Sequence, residues 1–501
     1  MLSTMLNKLK RKFSFFLVCC LSFLLILKEE VSATFSRVNG LSIQSWMIKE
    51  DDTLIWLFPS EINNYKNVLL CELGTAAAGT QAAPTVNNNL KISSPWGGVS
   101  TSGGIIKKSV VSLFIARPYT LPLPTIPGED VAGSDLTPIP KIPAKNANFS
   151  MLPPNNMFDL FYGFLVKDVE AGLYFNFSEN SLYDKNSLVS NPPSSNDTLS
   201  ESKFSSSEIS LSLGVNIDNF IAGGAALALS AMVKLPAAKN TYLVYRGTTQ
   251  NIKTSDWVFQ ITPGMNLDIK ARATKTFFGD KLSLLGYCQF YTFDESNVYV
   301  RKDDENGDGD YEDNRDMNYQ QKRTQNMTGF VAGVAVNYSL PKEFLVISGI
   351  GVSNVSSQYK GSREQMKVSL SGKDEEYQQE VNVFSVPLNI AMEKNFYIKK
   401  FSLSLRLGLS HTLFSATETK IKDPEWQLAA GLPNQITTVR EDNNFANSVG
   451  PSTLSLGVGV EIGKGFMLDF VVREHVVFTG TYILSGIPES LFSQGSLMYR
   501  F

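Results

Sequence analysis

Apolar and polar residues alternate along most of this chain. Residues 401–409 read FSLSLRLGL, with Phe401, Leu403, Leu405, Leu407 and Leu409 on one face and Ser402, Ser404, Arg406 and Gly408 on the other. Residues 454–462 (LSLGVGVEI), 209–217 (ISLSLGVNI) and 169–177 (VEAGLYFNF) have the same form. A period of two means β-strand with one apolar and one polar face. Sixteen such segments are laid out near 66–74, 92–102, 106–117, 157–166, 169–178, 206–217, 220–234, 255–270, 280–299, 326–340, 344–358, 379–393, 397–415, 452–462, 466–474 and 491–501. Fourteen is the alternative count, because strand ends read from sequence shift by a few residues.

Alternation alone fits a soluble sandwich, whose apolar face points inward, or a membrane barrel, whose apolar face meets lipid. The connections separate the two. Short ones (103–105, 167–168, 218–219, 271–279, 341–343, 394–396, 463–465) take turns with long ones (75–91, 118–156, 179–205, 235–254, 300–325, 359–378, 416–451, 475–490). Short turns at one end and long surface loops at the other are the arrangement of outer-membrane barrels. The chain closes SLMYRF, with Leu497, Tyr499 and Phe501 on one face. That ending resembles the C-terminal signature that the barrel-assembly machinery reads in bacterial outer-membrane barrels. The expected fold is therefore all-β: a transmembrane, antiparallel, up-and-down β-barrel of about sixteen strands, residues 65–501.

The N-terminus supports export. Lys8, Lys10, Arg11 and Lys12 precede the apolar run 13–27, and VSA at 31–33 offers a cleavage site before Thr34. Residues 1–33 read as a signal peptide, too short for a comfortable helical span. Composition then excludes other classes. The net charge of −3 gives a nucleic-acid partner no electrostatic support. Two histidines in 501 residues leave little for histidine catalysis, and there is no GxSxG, HExxH, P-loop or CxxC, so enzyme chemistry is not expected. Beyond the signal only Cys71 and Cys288 remain, which make neither a disulfide framework nor a zinc pattern.

Two clusters carry candidate chemistry. In DDENGDGDYED (303–313), Asp304, Asn306, Asp308 and Asp310 take the first four ligand positions of an EF-hand-like loop around Gly309. Oxygens on alternate residues suit calcium, although position 12 is Arg315 rather than a glutamate. The competing reading is a solvated acidic loop tip, and no other cofactor is implied. On the polar faces of the late strands lie Arg406, Glu461, Asp469, Arg473 and Arg500, either a salt-bridge network or the lining of a solute path.

Residues 41–74 hold the last clue. Asp51-Asp52, Leu54-Ile55-Trp56 and Pro59 follow one another in the order in which the FadL/OmpP1-like family of outer-membrane transporters opens. The segment resembles that family over about 30 residues, with Phe58 where the family has Asn and Ser60 where it has Ala. The resemblance implies an N-terminal hatch, here 34–64 and including Asp51, Asp52, Trp56, Phe58 and Pro59, inside the barrel. It also implies passive uptake of small hydrophobic solutes. A periplasmic cap or a disordered leader is the other reading of the segment. A general diffusion porin, or a structural or interaction barrel acting through its surface loops (an adhesin or a secretion-system partner), is the other reading of the whole. The expected partners are outer-membrane lipid, the assembly machinery and a small solute.

Overall fold

The computed structural model describes residues 34–73, 96–103, 109–117, 155–167, 169–188, 198–221, 224–246, 252–264, 266–278, 281–303, 317–365, 375–398, 401–427, 435–448, 452–463, 465–472 and 492–501. The signal region 1–33, the acidic loop with Asp304, Asn306, Asp308 and Asp310, and Arg473 lie outside the described residues. So does nearly all of the connection at 118–156.

The described residues open with helix α1 (Phe35–Gly40) and three 3-10 turns, Ser45–Met47, Asp52–Trp56 and Pro59–Asn64. The strands follow: β1 (Val68–Leu73), β2 (Trp96–Ser102), β3 (Val110–Ile115), β4 (Asn155–Val166), β5 (Val169–Leu188), β6 (Thr198–Ile221), β7 (Ala225–Arg246), β8 (Ile252–Pro263) and β9 (Asn266–Phe277). The second half holds β10 (Leu282–Asp303), β11 (Met317–Leu340), β12 (Phe344–Gln365), β13 (Glu375–Ile398), β14 (Phe401–Gln427), β15 (Gln435–Ser448), β16 (Ser452–Ile462), β17 (Phe466–Val472) and β18 (Phe492–Arg500). All pairings are antiparallel between neighbours, and β1 pairs with both β2 and β18, so the sheet closes on itself.

Among the eighteen segments, β8 and β9 both pair with β7 and with β10, and β15 and β16 both pair with β14. Each couple is one interrupted stave, so the barrel has sixteen staves, one for each segment read from the alternation. β8 stops at Pro263, whose ring cannot donate to a ladder, and Gly264 follows it against the Asp294 backbone.

Three turn expectations are corrected. Residues 271–277 lie inside β9, paired with β10 throughout and with β7 as far as Lys275, so the connection begins only at Phe278. Residues 394–396 lie inside β13, which runs to Ile398. The turn expected at 218–219 lies within β6, which runs to Ile221, although its pairing with β7 shifts register between Ile217 and Ile221 and Asn219 has φ 56°. In contrast, the turn at 341–343 stands where the spacing puts it, with Lys342 and Glu343 at φ 64° and 60°. Much of the expected loops 179–205, 300–325 and 416–451 is also strand. β5 to β6, β10 to β11 and β14 to β15 rise as ladders well past the apolar belt. These stretches are polar on both faces, which hides the period of two, but backbone pairing needs no apolar face.

The apolar residues of the alternation face outward. Leu211 and Leu213, Leu284, Leu405, Leu407 and Leu409 are exposed, whereas Ser210, Ser212, Ser402 and Arg406 between them are buried. An aqueous sandwich would have the reverse. This inversion defines the class: a closed transmembrane β-barrel of the outer-membrane type.

Candidate functional site

The buried apolar residues belong largely to the N-terminal segment. Leu41, Met47, Ile48, Leu54, Phe58 and Ile62 are among the most deeply buried side chains of the described residues. They pack on small inward-facing residues of the wall, such as Ala228, Ala335 and Ala391. The wall supplies clearance at glycines. A Cβ on Gly172 would meet the Pro59 backbone, one on Gly214 the backbone of Pro59 and Ser60, and one on Gly408 the carbonyl of Leu41.

Polar contacts tie the segment to strands on every side. Asn63 donates to the Ala171 carbonyl of β5 (3.0 Å) and Ser230 of β7 donates to the Leu57 carbonyl (2.7 Å). Arg272 of β9 donates to the carbonyls of Trp46 (3.0 Å), Ile48 and Lys49 (3.0 Å). Asn337 of β11 donates to Met47 O (2.7 Å) and accepts from Lys49 N (3.0 Å). On the far side Ser455 of β16 donates to Asn39 O (2.6 Å), and Asn39 donates to Gln494 of β18 (2.7 Å). Ser100 of β2 donates to the Tyr65 carbonyl.

A chain of buried charges forms the strongest tie. Arg37 of α1 reaches Glu393 of β13 with two donors, Nε to Oε2 at 2.8 Å and Nη2 to Oε1 at 2.9 Å. Arg406 of β14 donates to the same Glu393 (2.6 Å) and to Asp469 of β17 (2.5 Å). Thr34 of the segment donates to Asp469 (2.7 Å). Asp51 stands 3.8 Å from Arg37. Two guanidiniums thus face three carboxylates. Burial pushes the Asp51 carboxyl up to about 6, opposed by Arg37 and the hydrogen bonds of Thr53. With Asp51 protonated, charges in the cluster balance. Glu61 is likewise raised by burial. Burial lowers the Arg37 guanidinium, but Glu393 and Asp51 outweigh it and hold it above its ordinary value.

The remaining residues proposed from sequence fall as follows. Asp51 caps the turn Asp52–Trp56, its carboxylate accepting from Thr53 N at 2.9 Å. Pro59 opens the next turn at its first position, where a missing N–H costs nothing. Phe58 is fully buried. Trp56 sits amid Trp96, Phe114, Phe161 and Tyr174, with ring centroids 5.0–6.2 Å away. The Arg117 guanidinium lies 4.2 Å above the Trp56 ring. Asp159 accepts from that guanidinium at 2.8 Å, and Arg117 also donates to Tyr174 Oη at 3.1 Å. Beside this cluster, between Phe35, Asp52, Ile55, Trp56, Phe114 and Met498, is a cavity of about 20 Å³, room for roughly one water.

Of the expected lumenal charges, Arg406 and Asp469 meet directly. Glu461 and Arg500 share the inward face nearer the short turns. Sequence reasoning missed Arg37, Glu393 and Arg272. Glu393 was read at a strand end, and Arg272 inside an expected turn. The only available signal was a single charge on a small-residue face. Among the described residues no three His, Cys, Asp or Glu side chains form a metal site.

No protein-family model matches the chain, and no curated protein matches it in sequence. Solved barrels match weakly. The ferric yersiniabactin uptake receptor of Yersinia pestis is 10% identical over 81% of this chain and 68% of its own, at a TM-score of 0.34. The ferric-catecholate import receptor Fiu of E. coli is 9% identical over 86% and 80%, at 0.30. The translocator domain of the autotransporter NalP from Neisseria meningitidis is 11% identical over 67% and 90%, at 0.22.

Proposed function

We propose that the chain is an outer-membrane channel for small hydrophobic solutes, with residues 34–64 as the plug that gates it. The observation that carries this reading is the ring of contacts from the N-terminal segment to β2, β5, β7, β9, β11, β13, β14, β16, β17 and β18. A sixteen-stave barrel is wide enough to conduct water unless something fills it. Hydrophobic cargo is suggested by the aromatic surface around Trp56 and by the order of Asp51, Asp52, Trp56 and Pro59 shared with FadL-like openings. The space of about 20 Å³ beside Trp56 admits no such solute, so passage requires the segment to shift. In this reading Leu497, Tyr499 and Phe501 are the signal for the assembly machinery.

Single-channel conductance of the refolded, signal-free protein tests it, run beside a deletion of residues 34–64. A silent full-length protein with a large, steady pore in the deletion supports the plug. Equal conductance in both favours a diffusion porin. Silence in both folded barrels favours an interaction barrel.

A further inference from the structure

Residues 34–36 lie across one inward row at the barrel seam. That row reads Asp469 of β17, Ser496 of β18 and Glu72 of β1, each directly opposite the next. Thr34 Oγ1 donates to Asp469 Oδ2 (2.7 Å), the Phe35 backbone N–H faces the Glu72 carboxyl, and Ser36 N donates to Ser496 Oγ (3.3 Å). Thr34, Ser36, Glu72, Asp469 and Ser496 are all buried.

The row is short of positive charge. Asp469 and Glu393 share Arg406, and Glu393 also holds Arg37. Glu72 accepts from Gln494 (3.2 Å) and Ser496, and its Oε1 is buried without a hydrogen-bond partner. Buried Asp52 lines the small cavity that Thr34 borders. With Asp51 protonated, the four carboxyls of Asp52, Glu72, Glu393 and Asp469 stand around the two guanidiniums of Arg37 and Arg406.

The missing cation has a source in the sequence. VSA at 31–33 is expected to direct cleavage before Thr34. Hydrolysis of the Ala33–Thr34 peptide bond consumes one water. Ala33 departs with the signal as a carboxylate, and the Thr34 nitrogen becomes an ammonium at neutral pH. Covalent geometry keeps that nitrogen about 4 Å or less from Thr34 Oγ1, hence within roughly 6.5 Å of Asp469 Oδ2. It is one residue from the N–H that faces Glu72. An opposite charge at such range stabilises an ammonium, and an ammonium supplies the donor that Glu72 Oε1 lacks. Arg406, on the other oxygen of Asp469, and the amino end of α1 oppose it. Both oppose it weakly, because Arg406 is shared with Glu393 and α1 has only six residues.

We propose that cleavage before Thr34 creates an α-ammonium that pairs with Asp469 and Glu72, and that this new terminus latches residues 34–64 inside the barrel. The proposal rests on the plug reading and is measured independently of conductance. It makes the first residue of the processed chain a requirement: a longer terminus puts a peptide bond and further residues where the ammonium belongs.

The intact mass of the protein purified from membranes fixes its first residue, expected to be Thr34. The same chain is then refolded from a cleavable fusion, beginning either at Thr34 or with Gly-Ser ahead of it, and heat-modifiable gel mobility verifies folding. In the folded barrel the Thr34 amine should be acylated by an N-hydroxysuccinimide ester about tenfold or more slowly than in the denatured chain at the same pH. Glu72→Gln, which keeps the side chain's size and removes its charge, should reduce that protection. With Met47→Cys, Cys71→Ser and Cys288→Ser, the Gly-Ser extension should speed thiol labelling at position 47 by about tenfold or more, the equivalent of one lost ion pair. A processed chain that begins elsewhere, protection unchanged by Glu72→Gln, or labelling unchanged by the extension overturns the latch. Position 47 protected beside a freely reacting Thr34 amine overturns the latch alone. Position 47 reactive in the folded chain that begins at Thr34 overturns the plug reading and the latch with it.

Discussion

A methyl group on Gly408 would lie 1.7 Å from the Leu41 carbonyl oxygen, against backbone that cannot swing away. Gly408→Ala should therefore unseat α1 while leaving the β13–β14–β16 ladders intact. Labelling of Met47→Cys, in a chain with Cys71→Ser and Cys288→Ser, reports it. The buried site should become reactive in the alanine variant, whereas Gly286→Ala, which meets nothing within 4 Å, should not change it. Asp51 adds a pH dependence. Its carboxyl titrates near 6 in the seated segment against an ordinary 3.8, so the seated state prefers the protonated form. That stabilisation is complete below about pH 4 and is lost as pH rises through 6. Two pH units are worth about 3 kcal/mol at most, and Glu61, raised for the same reason, adds in the same direction. Met47→Cys labelling, divided by the rate of the same chain unfolded at the same pH to remove the thiol's own titration, should be faster at pH 8 than at pH 5. Asp51→Asn keeps an oxygen for the Thr53 cap and should flatten the difference. A normalised rate independent of pH over that interval, in the chain that keeps Asp51, would refute the assignment.

At the scale of elements, the segment is held by a relay of side chains from several strands. Glu393 is its centre, since Arg37 and Arg406 both lean on it. Glu393→Gln removes the charge between two buried guanidiniums, and breaking such a pair costs about 3–5 kcal/mol. Met47→Cys labelling should accelerate by roughly a hundredfold or more, with folded barrel retained on gels. No acceleration would mean that apolar packing alone seats the segment. The staves themselves were legible because lipid on one side and a polar interior on the other impose a period of two. Legibility failed where that contrast fades. Residues 271–277 (ARATKTF) carry no apolar stripe, so they read as a turn, yet Arg272 there grips three carbonyls of the segment. The upper ladders of β5–β6 and β11–β15 are largely polar on both faces and read as loops for the same reason. In the segment, Asp51, Asp52, Trp56, Phe58 and Pro59 stood out as residues. Their partners did not, because contacts such as Arg37 to Glu393 span 356 positions and leave no local pattern.

For the whole molecule, the decisive contact is the one that turns a sheet into a barrel. It joins the two ends of the sheet, β1 to β18, across six paired residues, one of the shorter seams among the described residues. An open edge in lipid would leave unpaired N–H and C=O groups at several kcal/mol each, so closure is required for insertion and not merely for shape. The register there is specific: Cys71 stands opposite Leu497, both on the outward face, while Leu70 stands opposite Met498 facing inward. A one-residue slip would exchange the two faces. Native Cys71 therefore supplies half of a test. With Cys288→Ser, the substitution Leu497→Cys should form a disulfide with Cys71 under mild oxidation, since directly opposed strand residues are ~4.5–5.5 Å apart. Met498→Cys should not, because its side chain points to the lumen. Peptide mapping distinguishes the linked from the unlinked chain. Linkage through position 498 instead of 497 would mean a shifted seam, and with it a different stagger, tilt and bore for the barrel that surrounds residues 34–64.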